Sequence, residues 1–275
     1  MILTTFPASQ ELKHPKRPDL VVEDIKRWIV RERLQPGDKL PKERELRELF
    51  RVSQGTIRGA LKSLEVQGLI SISTGPNGGA TLVEVPLERT LQLLQNYFYF
   101  KRLTYRDIYL VRRILEPELA AGAVDHLADV HFEAMQRSID RSSRRPSSFE
   151  ESLEQRQEDL RFHDILADAH PNEFLKFMCY VMNAMLRQLV VIEKAVLRDN
   201  WEFGRANVKA HRALLEAYAN RDKEKVRRLM EAHMRDAERH LGRLAATFKN
   251  KLLLDADLRA EAKPKLNVLR LEKRT

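Results

Sequence analysis

Between Asp19 and Val85, helix, turn and strand signals succeed one another so closely that only a small, tightly ordered unit accommodates them. Asp19 follows Pro18 as a helix N-cap, and Leu20, Ile25, Trp28, Ile29 and Leu34 recur as an apolar stripe, which predicts a first helix over 19–34. Gln35-Pro36-Gly37-Asp38 is a turn, and residues 42–50 after Pro41 predict a short second helix. Arg51 and Val52 turn, Ser53 caps a third helix reaching Gln67, and Gly68 stands where a helix end wants a residue tolerant of positive φ. Leu69 to Thr74 alternates like a strand, Gly75-Pro76-Asn77-Gly78-Gly79 turns, and Ala80 to Val85 returns. Leu40, Leu46, Leu61 and Leu64 are read as core.

Three helices and a hairpin, with a short turn between the second and third helices, make a winged helix-turn-helix. The run PGDKLPKERELRELFRVSQGTIRGALKSLEVQGLI resembles the DNA-binding domain of GntR-family bacterial regulators. Pro36, Gly37, Leu40, Pro41, Glu43, Arg44, Leu46, Val52, Ser53, Arg58, Ala60, Leu61, Leu64, Gly68 and Leu69 carry the match at fixed spacing. In such a motif the N-terminal residues of the later helix meet base edges in the major groove. Gln54 suits adenine, Arg58 suits guanine or phosphate, and Ser53 or Thr56 suits phosphate; Gly55 lies on the same first turn. The resemblance adds Arg44 on the preceding helix. Gly75, Asn77 and Gly78 form a wing tip whose glycines let the main chain approach DNA closely. Gln54 and Gly55 replace an Arg and a Thr found in some family members, so no operator sequence carries over.

Charge permits this reading without forcing it. The net charge is +9, but residues 1–90 hold 15 Lys and Arg against 12 Asp and Glu, so the excess is spread along the chain. No apolar stretch is long enough to cross a membrane, no secretory leader is evident, and the single Cys179 excludes an internal disulfide and reads as a small buried hydrophobe. A cytoplasmic setting is expected.

Beyond Val85 the pattern is almost wholly helical, with helices expected over 87–102, 104–127, 129–141, 150–169, 171–198, 202–219 and 222–247. The expected fold is therefore mainly α, a winged helix-turn-helix joined to an all-α bundle. Its divisions are an N-terminal arm (1–18), the DNA-binding domain (19–85), a linker and first helix (86–104), a helical effector-binding and dimerisation domain (105–247), and a charged tail (248–275) with no assigned role.

Asp159 and His163 sit one helical turn apart and project from one face, while His211 and His233 belong to two further helices. One carboxylate and three imidazoles converging in a bundle suit a divalent ion, zinc first, with nickel, manganese or iron also compatible. The remaining histidines (14, 126, 131, 170 and 240) are read as surface or capping residues, and Leu110, Leu115, Phe162, Leu214 and Leu215 as core. The segments YLVRRILEPELA (109–120), DLRFH (159–163) and HRALLEA (211–217), with Asn172, Asp222 and His233, resemble the FCD ligand-binding domain of the FadR subfamily. That resemblance implies a homodimeric regulator of transcription, expected to be a repressor, on a palindromic double-stranded DNA operator. Its effector would be a small organic acid held at the metal. Arg112 is either a partner for that acid or one half of a salt bridge with Glu116, and Arg187 is a weaker candidate. Two other readings stand beside this one: a DNA-binding protein whose helical domain only dimerises around a structural metal, and a metalloenzyme. Against an enzyme, there is no HExxH and no dedicated general base.

Overall fold

A computed structural model of the chain describes residues 17–75, 78–99, 101, 103–192 and 201–241. The chain forms two compact units, divided between Thr90 and Leu91.

The first unit holds α1 (Arg17–Arg31), α2 (Glu43–Phe50), α3 (Gln54–Val66) and an antiparallel hairpin of β1 (Ile70–Ser73) and β2 (Gly79–Leu82). Its core gathers Val22, Ile25, Leu46, Ile57, Ala60 and Leu64, with Leu40 and Leu61 also buried. On α1 the inward stripe runs through Val21, Val22 and Ile25, with Trp28 and Ile29 partly buried, so Leu20 falls outside it and is 50% exposed. The helix stops short of Leu34, where Arg33 takes a left-handed φ of 54°. Ser53 caps α3 by accepting a hydrogen bond from the Thr56 amide (3.2 Å). Gly68 closes it at φ +80°, a conformation that strains any residue bearing a Cβ. Arg89 donates to the carbonyls of Glu65 and Val66, two acceptors that the end of α3 leaves over.

The hairpin pairs Ile70 with Leu82 and Ser73 with Gly79. It is shorter than the alternation suggested, since Val83 to Val85 leave the strand before Pro86. The expected turn at 35–38 leads into a segment that pairs with β2. Gly37 N donates to Leu82 O, Leu40 N to Ala80 O, and Leu82 N to Asp38 O, each at 2.8 Å. Three residues are too few to announce a strand by periodicity.

The helices that follow are α4 (Leu87–Tyr99), α5 (Tyr105–Ala123), α6 (Asp129–Ser142), α7 (Phe149–Ala169), α8 (Glu173–Ile192), α9 (Trp201–Ala219) and α10 (Lys223–Leu241). Residues 124–126 form a 3-10 turn rather than more of α5. Expected extensions of α8 to 198 and of α10 to 247, and the tail 248–275, lie outside the described residues. Thr104 starts α5 with a capping box shared with Asp107, and Ser148 caps α7. The centre of the second unit is α5, packed against α10, α8 and α7. Tyr105, Ile108, Tyr109, Arg112, Glu116, Leu119, Ala120 and Ala123 recur at helical spacing on its buried face. Leu110 lies off that face and is 45% exposed, contrary to its reading as core, while Leu115 and Leu215 are only partly buried. Phe162, Leu214 and Cys179 are buried as expected, and burial pushes the Cys179 thiol up from its ordinary value.

Near its end α5 is interlocked with the turn after α7. A Cβ at Gly122 would stand 2.3 Å from Nε2 of His170, whose other ring nitrogen accepts a hydrogen bond from the Asn172 amide. No described helix is long and apolar enough to cross a membrane.

Candidate functional site

Three helices bring His163 (α7), His211 (α9) and His233 (α10) together. All are buried, and each offers a ligand atom within 4.8 Å of the others. They converge because each sits on the inward stripe of its helix: His211 beside Val208 and Leu214, His233 beside Met230, Met234 and Ala237. Nε2 of His211 and Nε2 of His233 face each other at 3.1 Å. Phe162 stacks flat on His211 at 4.0 Å between ring centres, which fixes that ring's plane.

Nδ1 of His163 lies 2.6 Å from Glu116 Oε2 on α5, off the line of a good hydrogen bond. A carboxylate behind one ring nitrogen orients an imidazole so that the other can serve a cation. Burial, together with His233 and His163, holds His211 well below the usual imidazole range. Burial, His163 and Arg112 do the same to His233. Neutral imidazoles are the form that binds metal.

Asp159 shares the cavity with the histidines but is not within their close group. Its Oδ2 accepts from Arg156 Nη1 (3.0 Å) and from Asn207 Nδ2 (3.1 Å), while Oδ1 is buried without a hydrogen bond. Burial raises its carboxyl, and Arg156 and Asn207 partly offset this. Three buried imidazoles, an oxygen with acceptor capacity left over and a supporting carboxylate fit a divalent cation in chemical type.

Arg112 forms the salt bridge with Glu116 that was one of its two readings. Its Nε donates to Glu116 in a fully buried ion pair, and its Nη2 is buried with no hydrogen-bond partner. Burial alone would raise the Glu116 carboxyl, but Arg112 and His163 bring it to about 2. The ion pair therefore stays charged, with a guanidinium edge lining the cavity beside the histidines. Arg187 stands apart: it pairs with Asp164, which also accepts from Asn183 (2.7 Å), and it does not line the cavity.

The carboxylate behind His163, together with Arg156 and Asn207, was not anticipated from the sequence. Asn207 precedes His211 by one turn and Arg156 precedes Asp159 by three residues, so helical spacing held the signal. The other described histidines are peripheral to the group. His131 accepts the Ala128 amide (2.9 Å), and His240 meets Asp236 O and the Phe203 ring. His126 is exposed, whereas His170 is buried at a helix end.

In the first unit, Gln54, Gly55 and Arg58 are exposed on the opening turns of α3, and Ser53 and Thr56 share the cap through a 2.9 Å hydroxyl contact. Arg58 reaches back to Glu43 on α2 (3.0 Å), and Arg44 pairs with Glu48 (3.2 Å). In the wing, Gly75 has φ +109°, and a Cβ at Gly78 would stand 2.5 Å from Ser73 O, so the tip needs glycine at both. Asn77 lies outside the described residues, as does most of the arm 1–18.

Comparison with known proteins agrees with this division. Residues 19–79 match the family described as "Bacterial regulatory proteins, gntR family", and residues 107–236 match the FCD domain. The HTH-type transcriptional regulator LutR of Bacillus subtilis is 28% identical over 207 residues, covering 74% of this chain and 92% of that protein. The HTH-type transcriptional repressor NanR of an Enterobacter strain is 25% identical over 228 residues, covering 81% and 84%. A solved structure, Streptococcus agalactiae GntR, shares the fold with a TM-score of 0.54 at 20% identity, covering 81% of this chain and 99% of that one.

Proposed function

The chain belongs to the GntR family of bacterial regulators, and from that premise we propose that it represses transcription by binding a palindromic operator as a dimer and releases it in response to a small organic acid. It is a DNA-binding transcriptional regulator with an FCD ligand-binding domain, and its relatives and domains are regulators rather than enzymes. The observation that carries the effector reading is the convergence of three buried imidazoles beside a guanidinium with donor capacity to spare.

In this reading the DNA-binding part is residues 19–85, the effector-binding and dimerising part is 105–247, and the setting is cytoplasmic. Gln54, Gly55, Arg58, Ser53, Thr56 and Arg44 meet the operator, with Gly75, Asn77 and Gly78 at the wing. Two recognition helices about one DNA turn apart require two copies of the chain. Repression is the direction named for the NanR relatives. His163, His211, His233 and Asp159 would hold a divalent ion, with zinc the first choice, and such an ion supplies open Lewis-acid positions for a carboxylate. Glu116 orients His163, Phe162 orients His211, and Arg112 offers Nη2 to the acid. The acid changes DNA affinity only if it binds one arrangement of the dimer better than another.

Thermal melting of the whole chain against a panel of short organic acids, with and without a chelator, tests this. An acid at about 100 times its dissociation constant adds roughly 2.7 kcal/mol, and this gain is expected only in the metal-loaded chain. If the chelator lowers stability while no acid raises it, the metal is structural and the helical domain only dimerises.

A further inference from the structure

The cavity beside the imidazoles is small, about 40 Å³, and is bounded by Arg112, Asp159, His163, His233, Asn207 and Arg156 among others. A second cavity of about 30 Å³, with Ser142, Ser152, Gln155 and Trp201 in its wall, adjoins it. Arg156 and Asp159 line both, so one ion pair forms the partition between the two spaces. Since a water-sized group needs about 10–15 Å³ by this measure, the inner cavity admits roughly three such groups. So small a space favours a short acid over a bulky one, and any ligand of more than about three groups must reach past the Arg156–Asp159 partition towards the second cavity.

Charge narrows the class further. Of the two guanidinium groups at the cavity, Arg112 is balanced by Glu116 and Arg156 by Asp159. The three imidazoles contribute no balancing charge, so a bound divalent ion leaves two positive charges uncompensated in a buried space. Buried charge without a partner is strongly disfavoured, and a ligand bearing two negative charges removes the excess where one bearing a single charge leaves half of it. The Arg156 guanidinium is held over the Phe203 ring at 4.4 Å, which fixes its plane at the partition. A planar fork so placed suits a carboxylate at the far end of a short ligand.

We infer that the effector is a short dianionic acid, one carboxylate directed to the metal side and Arg112, the other to Arg156, which makes Arg156 a specificity-determining residue. This rests on the metal-anchored acid site proposed above. The test is calorimetric titration of the zinc-loaded full chain with succinate and with succinamate, its monoamide of equal length and one charge fewer, with lactate as a short monoanion. Succinate is expected to bind at least about tenfold more tightly than succinamate. Arg156→Met is expected to bring the two affinities within about threefold, while Arg156→Lys keeps part of the preference.

Equal affinities in the unaltered chain overturn the inference, as does a preference that survives Arg156→Met. The comparison in the unaltered chain decides the matter if the variant fails to fold. Lactate bound in a zinc-dependent way without any advantage for succinate removes this inference and leaves the metal-anchored site standing. Binding of none of the three acids removes both.

Discussion

The two units of the chain use charge in opposite ways. In the first, Arg58 and Glu43 meet at the surface with 64% and 41% of their side chains exposed, and Arg44 and Glu48 are more open still. In the second, Arg112 and Glu116 meet with 1% and 0% exposed, and His163 leans on the same carboxylate. A solvated pair contributes little to stability and exchanges its partner readily. A buried pair is costly to break, because the surviving charge has no water to turn to. Exchangeable cations suit a surface that trades internal contacts for phosphates and bases, whereas fixed ones suit a cavity that must keep its shape before a ligand arrives.

The largest expected effect tests the buried side of this contrast. Glu116→Ala strands the Arg112 charge and should lower unfolding stability by about 3–5 kcal/mol, read from the urea midpoint. A loss under about 1 kcal/mol would mean that the cavity tolerates a lone guanidinium and that its charges are not fixed. Next comes Arg58→Ala, which should weaken binding to a selected operator fragment about tenfold to a hundredfold at constant salt. Its melting temperature should stay at that of the unaltered chain; a fall in stability with DNA affinity intact would reverse the contrast. Ser53→Ala removes the α3 cap and should cost about 1 kcal/mol of stability in the first unit, seen in chemical denaturation. Smallest is Glu48→Gln, expected to shift the melting temperature by less than about 2 °C because its partner Arg44 remains solvated.

The first unit was legible from sequence because its signals are local. Ser53, Gly68 and the apolar spacing of α3 each act within a few residues, and the helix and cap stand where those residues placed them. Pairing of residues 37–40 with β2 joins segments some forty residues apart, and nothing in so short a stretch announces it. The same divide runs through the second unit. His163, His211 and His233 could be placed on inward helical faces, and the structure brings them together. Asp159 was expected among them by its spacing from His163; it shares their cavity but stands outside the close group, with its Oδ2 held by Arg156 and Asn207, two partners the sequence reading did not name. Leu20 and Leu110 show the limit of an apolar stripe: one residue off the buried face is a rotation of about 100°, enough to send a leucine to solvent.

The contact of Gly122 with His170 has a mechanical consequence. α5 carries Arg112 and Glu116, while α7 carries Asp159 and His163, so the spacing of cations and ligands depends on how far these two rods slide along each other. The imidazole seated against the bare glycine acts as a key in a keyway, since even one added methyl group would meet it at 2.3 Å. Registration of the two rods is thus set at their far ends, away from the chemistry, by a residue whose contribution is the side chain it lacks.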